Sequence, residues 1–216
     1  MLPMRPTTFR RLSSVFWLLA SVLGLAGCTL IPEPPPDPTR YYVLTGPAVP
    51  GEVAPSPGGL RLGLNAVELA PYLKGRAMAV RRGANELAFN DYARWAEPLD
   101  AAISSRVRAE LLALPKVARV LAYPFPFDGE RDFYVSIHVA QCEGAEPQPG
   151  SGVYAARFAA TIEIIAAGPE ARRVVRRVFT APEAPWDGRD YGALVATLSD
   201  AVSALAHEVA AALPER

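Results

Sequence analysis

Apolar and polar positions switch between two periods along this chain, and the switches mark its elements. Leu60, Leu62 and Leu64 alternate with Arg61, Gly63 and Asn65, the period of a half-buried strand. Residues 78–81 and 86–89, separated by Arg82-Gly83-Ala84-Asn85, predict a hairpin whose turn uses Gly and Asn. Leu99, Ile103, Val107, Leu111 and Leu114 then recur at three- and four-residue spacing, with Arg106, Arg108 and Glu110 elsewhere on the wheel. That is an amphipathic helix beginning near Pro98, whose ring presets the first turn, and ending at Pro115. Phe133, Val135, Ile137 and Val139 alternate with polar residues, as do Ala160, Ile162 and Ile164, so two long strands flank the loop at residues 144–152 and pair antiparallel. Residues 174–179 supply a further strand. Leu194, Leu198, Val202, Leu205, Val209 and Leu213 form the stripe of a closing helix that Asp190 can cap.

Strands outnumber helices and include hairpins, which predicts a single-domain α+β fold: a mostly antiparallel or mixed β-sheet with two main amphipathic helices packed on one face, an α/β sandwich. The opposite face is then partly polar or covered by a partner. The closing helix is rich in alanine and packs closely against the sheet or against another copy of the chain; burial within the domain accounts for it, and a homo-oligomer stays open.

The N-terminus follows a different pattern. Arg5, Arg10 and Arg11 precede a short apolar run over residues 15–25, and Leu25-Ala26-Gly27-Cys28 closes it as a bacterial lipobox. The run is bounded by Arg11 and Ser13 on one side and prolines on the other, short of the about 20 apolar residues a bilayer span needs. Residues 1–27 therefore read as a signal peptide and Cys28 as the acylated first residue of the mature chain, carrying covalent diacylglyceryl and N-acyl chains. At about 0.8 kcal/mol per buried methylene, two or three acyl chains hold a protein on a bilayer essentially permanently. Thr29, in place of an aspartate, resembles the default signal for the outer membrane.

Residues 28–39 form the tether. Pro32, Pro34, Pro35, Pro36 and Pro38 favour polyproline II at about 3.1 Å per residue, a spacer of about 30 Å that lifts the domain, residues 40–216, off the lipid. Tyr41-Tyr42-Val43-Leu44 opens that domain as a short strand, and residues 46–59, dense in Pro and Gly, form a loop.

Charge and cysteine content narrow the function. The whole chain has 22 basic and 22 acidic residues; loss of Arg5, Arg10 and Arg11 leaves 19 basic against 22 acidic, a net charge of −3. Such a surface does not favour nucleic acid. Cys142 is the one cysteine left once Cys28 is acylated, so no intramolecular disulfide forms, and it reads as a small apolar residue at a strand end. Two histidines, His138 and His207, lack metal-ligand spacing to any cysteine or carboxylate, and no metal site is expected. No nucleophile elbow, zinc-protease helix, phosphate loop or dinucleotide fingerprint occurs. Asp128, Glu130 and Asp132 could pair as carboxylates, but a solvated Pro- and Gly-flanked loop accounts for them. Arg172, Arg173, Arg176 and Arg177 could meet anionic lipid or an acidic partner; falling on both strand faces, they equally suit a charged edge strand.

Three motifs carry a resemblance. Tyr41-Tyr42-x-Leu44 after a lipobox, Val67-x-Leu69-x-Pro71-Tyr72-Leu73, and Trp95-Ala96-Glu97-Pro98-Leu99 at a helix start resemble the PqiC-like auxiliary lipoproteins of ABC-type transport systems, in order and over most of the mature chain. The resemblance implies a non-enzymatic, periplasm-facing outer-membrane lipoprotein that works with an MCE-domain protein in lipid transport or envelope integrity, without a cofactor beyond its acyl chains. From the residues themselves, Tyr72, Leu73, Tyr92 and Trp95 are candidates for partner binding, although large aromatics beside a helix start commonly bury as anchors. The rival classes are a lipid carrier with a closed apolar cavity between sheet and helices, and an envelope hydrolase using His138, His207 or the carboxylates at residues 128–132.

Overall fold

The computed structural model describes residues 35–46, 58–127, 129–147, 152–169 and 172–214. Cys28, with the signal peptide and most of the tether, lies outside them, as does Asp128. The chain divides into Met1–Pro38 and Thr39–Arg216. Of the first unit, residues 35–38 are described and carry neither helix nor strand.

In chain order the second unit contains β1 (Arg40–Tyr42), β2 (Leu60–Leu64), β3 (Glu68–Leu69), a short 3-10 turn (Pro71–Lys74), β4 (Ala77–Arg82), β5 (Glu86–Trp95) and helix α1 (Leu99–Leu112). There follow β6 (Val117–Ala122), β7 (Phe133–Ala145), β8 (Tyr154–Ala166), β9 (Arg173–Thr180), β10 (Ala184–Trp186) and helix α2 (Tyr191–Ala212). Among the described residues the result is a mixed ten-stranded sheet with two helices, a single α+β domain.

Its axis is the long antiparallel pair of β7 and β8, in register from Phe133 opposite Ala166 to Ala145 opposite Ala155. The other edge of β7 is shared by three strands in succession, all parallel to it: β2 at residues 133–135, β3 at 138–139 and β4 at 144–145. From there the sheet runs outward to β6 through β2, and to β5 and β1 through β4. The far edge of β8 pairs with β9 and β10. Ala140 is the extra residue of a bulge in β7, because Val139 pairs with Ala160 and Gln141 with Ala159. Such a bulge bends a long strand and increases its twist.

Helix α1 buries Leu99, Ile103, Val107 and Leu111, the spacing read from the sequence. Asp190 caps α2 by accepting from the Gly192 and Ala193 amides, offsetting two of the orphan donors at a helix start. In composition α2 is long and apolar enough to cross a bilayer, yet Leu194, Leu198, Val202, Leu205 and Val209 are all buried in the core. The alanines at 201, 206 and 210 are buried too, which lets the helix approach the sheet closely. The two helices are joined by Arg106, which donates to Ser203 (2.6 Å) and pairs with Glu110 one turn along (3.1 Å).

Three strands, β3, β6 and β10, go beyond the elements read from the sequence, and β5 continues to Trp95 rather than stopping at residue 89. Tyr92 and Trp95 therefore sit in a strand, not in a loop leading to the helix. Asn90 explains how β5 continues. Its side chain accepts from the Tyr92 and Ala93 amides (2.8 Å each), supporting a bulge where Ala77 pairs with Arg94 but Met78 with Asn90.

Candidate functional site

Each of the three sequence motifs resolves into a packing device. In the first, Tyr42 faces the helices and packs on Tyr191 (centroids 6.5 Å apart), while Tyr41 points to the other face. The Thr45 amide donates to Ser199 Oγ on α2 (3.0 Å), fixing the end of this segment. Tyr191 also meets Trp186 edge-on at 5.3 Å, and Trp186 donates to the Asp190 carbonyl (2.7 Å), so an aromatic cluster seats the start of α2 on the sheet. In the third motif, Trp95 and Leu99 are 4% and 3% exposed and bridge the end of β5 to the start of α1.

The second motif holds the most unusual chemistry. Val67, Leu69 and Leu73 are buried in the core, and Pro71 begins the 3-10 turn. Tyr72 leans instead onto the face away from the helices, where its hydroxyl lies 2.7 Å from the Glu143 carboxylate and 3.0 Å from the Ala140 carbonyl. Arg81 donates to both oxygens of Glu143 and stands over the Tyr72 ring, 5.8 Å from its centre. Glu143 is 1% exposed. Desolvating a carboxylate costs several kcal/mol, which its paired guanidinium and phenol donors offset. Burial, followed by the adjacent carboxylate, pushes the Tyr72 phenol well above its ordinary range, and hydrogen bonding to Glu143 raises Arg81. Both groups are thereby fixed in their neutral and charged forms, a clamp rather than a proton shuttle.

The four partner-binding candidates are not brought into one patch. Leu73 and Trp95 belong to the core and present no contact surface, Tyr72 is half-buried in the clamp, and Tyr92 is 57% exposed on β5. Tyr92 lies two residues from Arg94, which pairs in register with the exposed Tyr41 on β1. Tyr41, Tyr92 and Arg94 thus share one edge of the sheet, the residue types enriched at protein interfaces.

The catalytic candidates are held apart. His138 lies on β7 with Nδ1 3.4 Å from Glu68, while His207 is exposed on α2. The acidic loop has a basic partner that its sequence neighbours do not supply. Arg61 on β2 pairs with Asp132 (2.8 Å) and with Glu130, and its own amide donates to Asp132 (2.8 Å). These carboxylates pin a loop to the sheet. Among the described residues no group of three or more His, Cys, Asp or Glu side chains could hold a metal. Cys142 is buried, and that burial, with Glu143 nearby, pushes its thiol up to about 12. The arginines of β9 do point both ways: Arg173 pairs with Glu163 on the open face and Arg177 with Glu208 on α2. Among the described residues β9 pairs with β8 alone, as an edge strand does.

Sequence reasoning did not single out the aromatic segment Tyr123-Pro124-Phe125-Pro126-Phe127. It crosses the open face beside β2 and β7. Phe125 packs against Tyr123 (5.8 Å, edge-on) and Tyr134 (5.6 Å), and Arg131 lies over Phe125 and Tyr134. Gly63 makes room for it, because a Cβ there would stand 2.9 Å from Arg131 and 3.0 Å from Tyr134. The alternation of aromatic and proline residues was the available signal.

The helices cover one face of the sheet, and the aromatic residues divide between the core beneath them and the open face and edge opposite. The family model described as "ABC-type transport auxiliary lipoprotein component" matches residues 42–210, and the chain belongs to that family. Two solved structures share the fold. Protein XCC0632 from Xanthomonas campestris is 23% identical, with 79% of this chain and 92% of that chain covered at a TM-score of 0.64. An uncharacterized protein is 17% identical, covering 80% and 96% at a TM-score of 0.61. No curated protein matches this sequence.

Proposed function

We propose that this chain is a periplasmic lipoprotein held in the outer membrane by acyl chains on Cys28, serving as the non-catalytic auxiliary subunit of a lipid transport system, with an MCE-domain protein as its partner. The observation that carries the reading is the extent of the family match, which runs from β1 into α2 and so spans the folded unit. The mechanism is positional. Acyl chains fix one end, the proline tether sets the reach, and confinement to a thin layer above the membrane raises the effective concentration of the domain at its partner. The edge bearing Tyr41, Tyr92 and Arg94 is the surface offered for docking, since tyrosine and arginine are enriched at binding hot spots and tyrosine supplies contact area at low entropic cost.

Affinity purification of the acylated protein from its native envelope in mild detergent, with mass spectrometry of co-purifying proteins and lipids, tests this. Recovery of an MCE-domain protein, lost on Tyr41→Ala/Tyr92→Ala, is the expected result. Stoichiometric lipid without a protein partner overturns it in favour of an autonomous lipid carrier.

A further inference from the structure

The middle of the open sheet face carries a groove of about 460 Å³, a volume within the range of about 300–1,000 Å³ typical of small-molecule sites. Register arranges its floor in two cross-strand rows. In one, Ser136 stands opposite Glu163, and Glu163 opposite Arg176; Asn65 extends the row by donating to Ser136 Oγ (2.8 Å). In the other, Glu68 stands opposite His138 and His138 opposite Thr161. Tyr123 forms a wall.

Two properties select the occupant. The first is charge balance. Glu68 meets His138 at 3.4 Å, and Glu163 is paired with Arg173 and faces Arg176. Two carboxylates, Glu68 and Glu163, stand with two guanidiniums, Arg173 and Arg176, so the floor offers hydroxyl, amide and carboxylate groups without a concentrated field of either sign. An anionic or cationic ligand would need such a field to repay its desolvation. The second is the wall. Tyr123 is 62% exposed, yet its ring is braced edge-on by Phe125, itself seated on Tyr134 beneath Arg131. A braced aromatic beside a neutral hydrogen-bonding floor matches a ligand with a flat C–H face and a rim of hydroxyls, which is a pyranose ring.

We propose that this groove binds a neutral oligosaccharide, with Tyr123 stacked on one sugar ring and Ser136, Thr161 and Glu163 bonding its hydroxyls. The proposal goes beyond the transport reading and uses neither Cys28 nor the Tyr41 and Tyr92 edge, so its failure would leave that reading standing.

The test is isothermal titration of the full mature chain, in a detergent without a sugar headgroup, with two neutral probes, the N-acetylglucosamine tetrasaccharide and maltotetraose. Saturable binding of at least one is expected, and whichever binds reports whether amino sugars or plain glucans are preferred. Tyr123→Ala should weaken it about tenfold or more, the scale of one aromatic contact. Thr161→Val should weaken it several-fold, whereas Phe127→Ala, outside the groove, should leave it unchanged, all with urea midpoints near that of the wild type. Failure of both sugars to bind, a Tyr123→Ala affinity equal to wild type, or displacement of the sugar by phosphocholine would each overturn the proposal.

Discussion

Replacing Arg81 by methionine probes the clamp directly. The substitution keeps most of the apolar stem and deletes the guanidinium that donates to both oxygens of Glu143. Glu143 is 1% exposed, so no water shell can take over. Removing one member of a buried pair costs about 3–5 kcal/mol because the other charge is stranded. Two features favour the lower end: the Arg81 side chain is 18% exposed, and Tyr72 still donates to the carboxylate at 2.7 Å. The expected loss is therefore about 3 kcal/mol, or about 6–12 °C in Tm for a domain of this size. Urea unfolding at pH 7 followed by circular dichroism measures it. In the double variant Arg81→Met/Glu143→Gln the stranded charge is gone while the amide oxygen still accepts from Tyr72, so more than half of the loss should return. An Arg81→Met cost below about 1 kcal/mol, or a double variant no more stable than the single, would refute the claim that a desolvated carboxylate sits at the centre of this motif.

Other positions give equally definite expectations. Cys142, whose thiol burial raises from 9.0 to about 12, should resist thiol reagents in the native protein and react at a rate set by unfolding. Because the unfolded thiol ionises first, its contribution to stability is fully present below about pH 9 and is lost as pH rises toward 12; Cys142→Ala should flatten that alkaline limb of the urea-midpoint profile. Asp190→Ala removes the cap of α2 and should cost about 1 kcal/mol, with Asp190→Asn recovering most of it by thermal melts. Gly144→Ala would place a Cβ 2.6 Å from the Trp186 ring and should destabilise by about 1–3 kcal/mol with altered near-ultraviolet circular dichroism, as overpacking does.

How much of this was legible in the sequence depended on whether a residue's environment is set locally or across the sheet. Leu99, Ile103, Val107 and Leu111 declare their helix by spacing alone, and all four are buried as that spacing requires. The period-two runs of β2, β7 and β8 do the same. Residues 117–122 read poorly because Val117, Val120 and Leu121 break strict alternation, and β6 owes its existence to the parallel partner β2, which the chain reaches through α1. β3 and β10 are two and three residues long, below the length at which any period can be counted. The candidate residues divide on the same principle. Tyr72 and Leu73 are neighbours in one motif, yet Leu73 turns into the core while Tyr72 finds its partners, Ala140 and Glu143 on β7, 68 and 71 residues away.

That division bears on how a family of this kind keeps a fold while changing what it binds. The motif positions Tyr42, Leu73, Trp95 and Leu99 all hold the helices to the sheet, so their side chains answer to packing and leave little freedom for specificity. The open face answers to different constraints. The polar rows of the groove alternate with the buried positions of β7 and β8, so those residues, unlike the clamp of Tyr72, Arg81 and buried Glu143 on the same face, can change without moving a core atom. Docking at the Tyr41 and Tyr92 edge and ligand choice in the groove are therefore free to vary separately from stability. A swap of Ser136, Thr161 and Tyr123 for the residues of a relative should change binding while leaving the unfolding free energy from urea titration within about 0.5 kcal/mol, the range of surface substitutions. A shift above about 2 kcal/mol would show instead that the groove is coupled to the core, and the separation of scaffold from binding surface would fail.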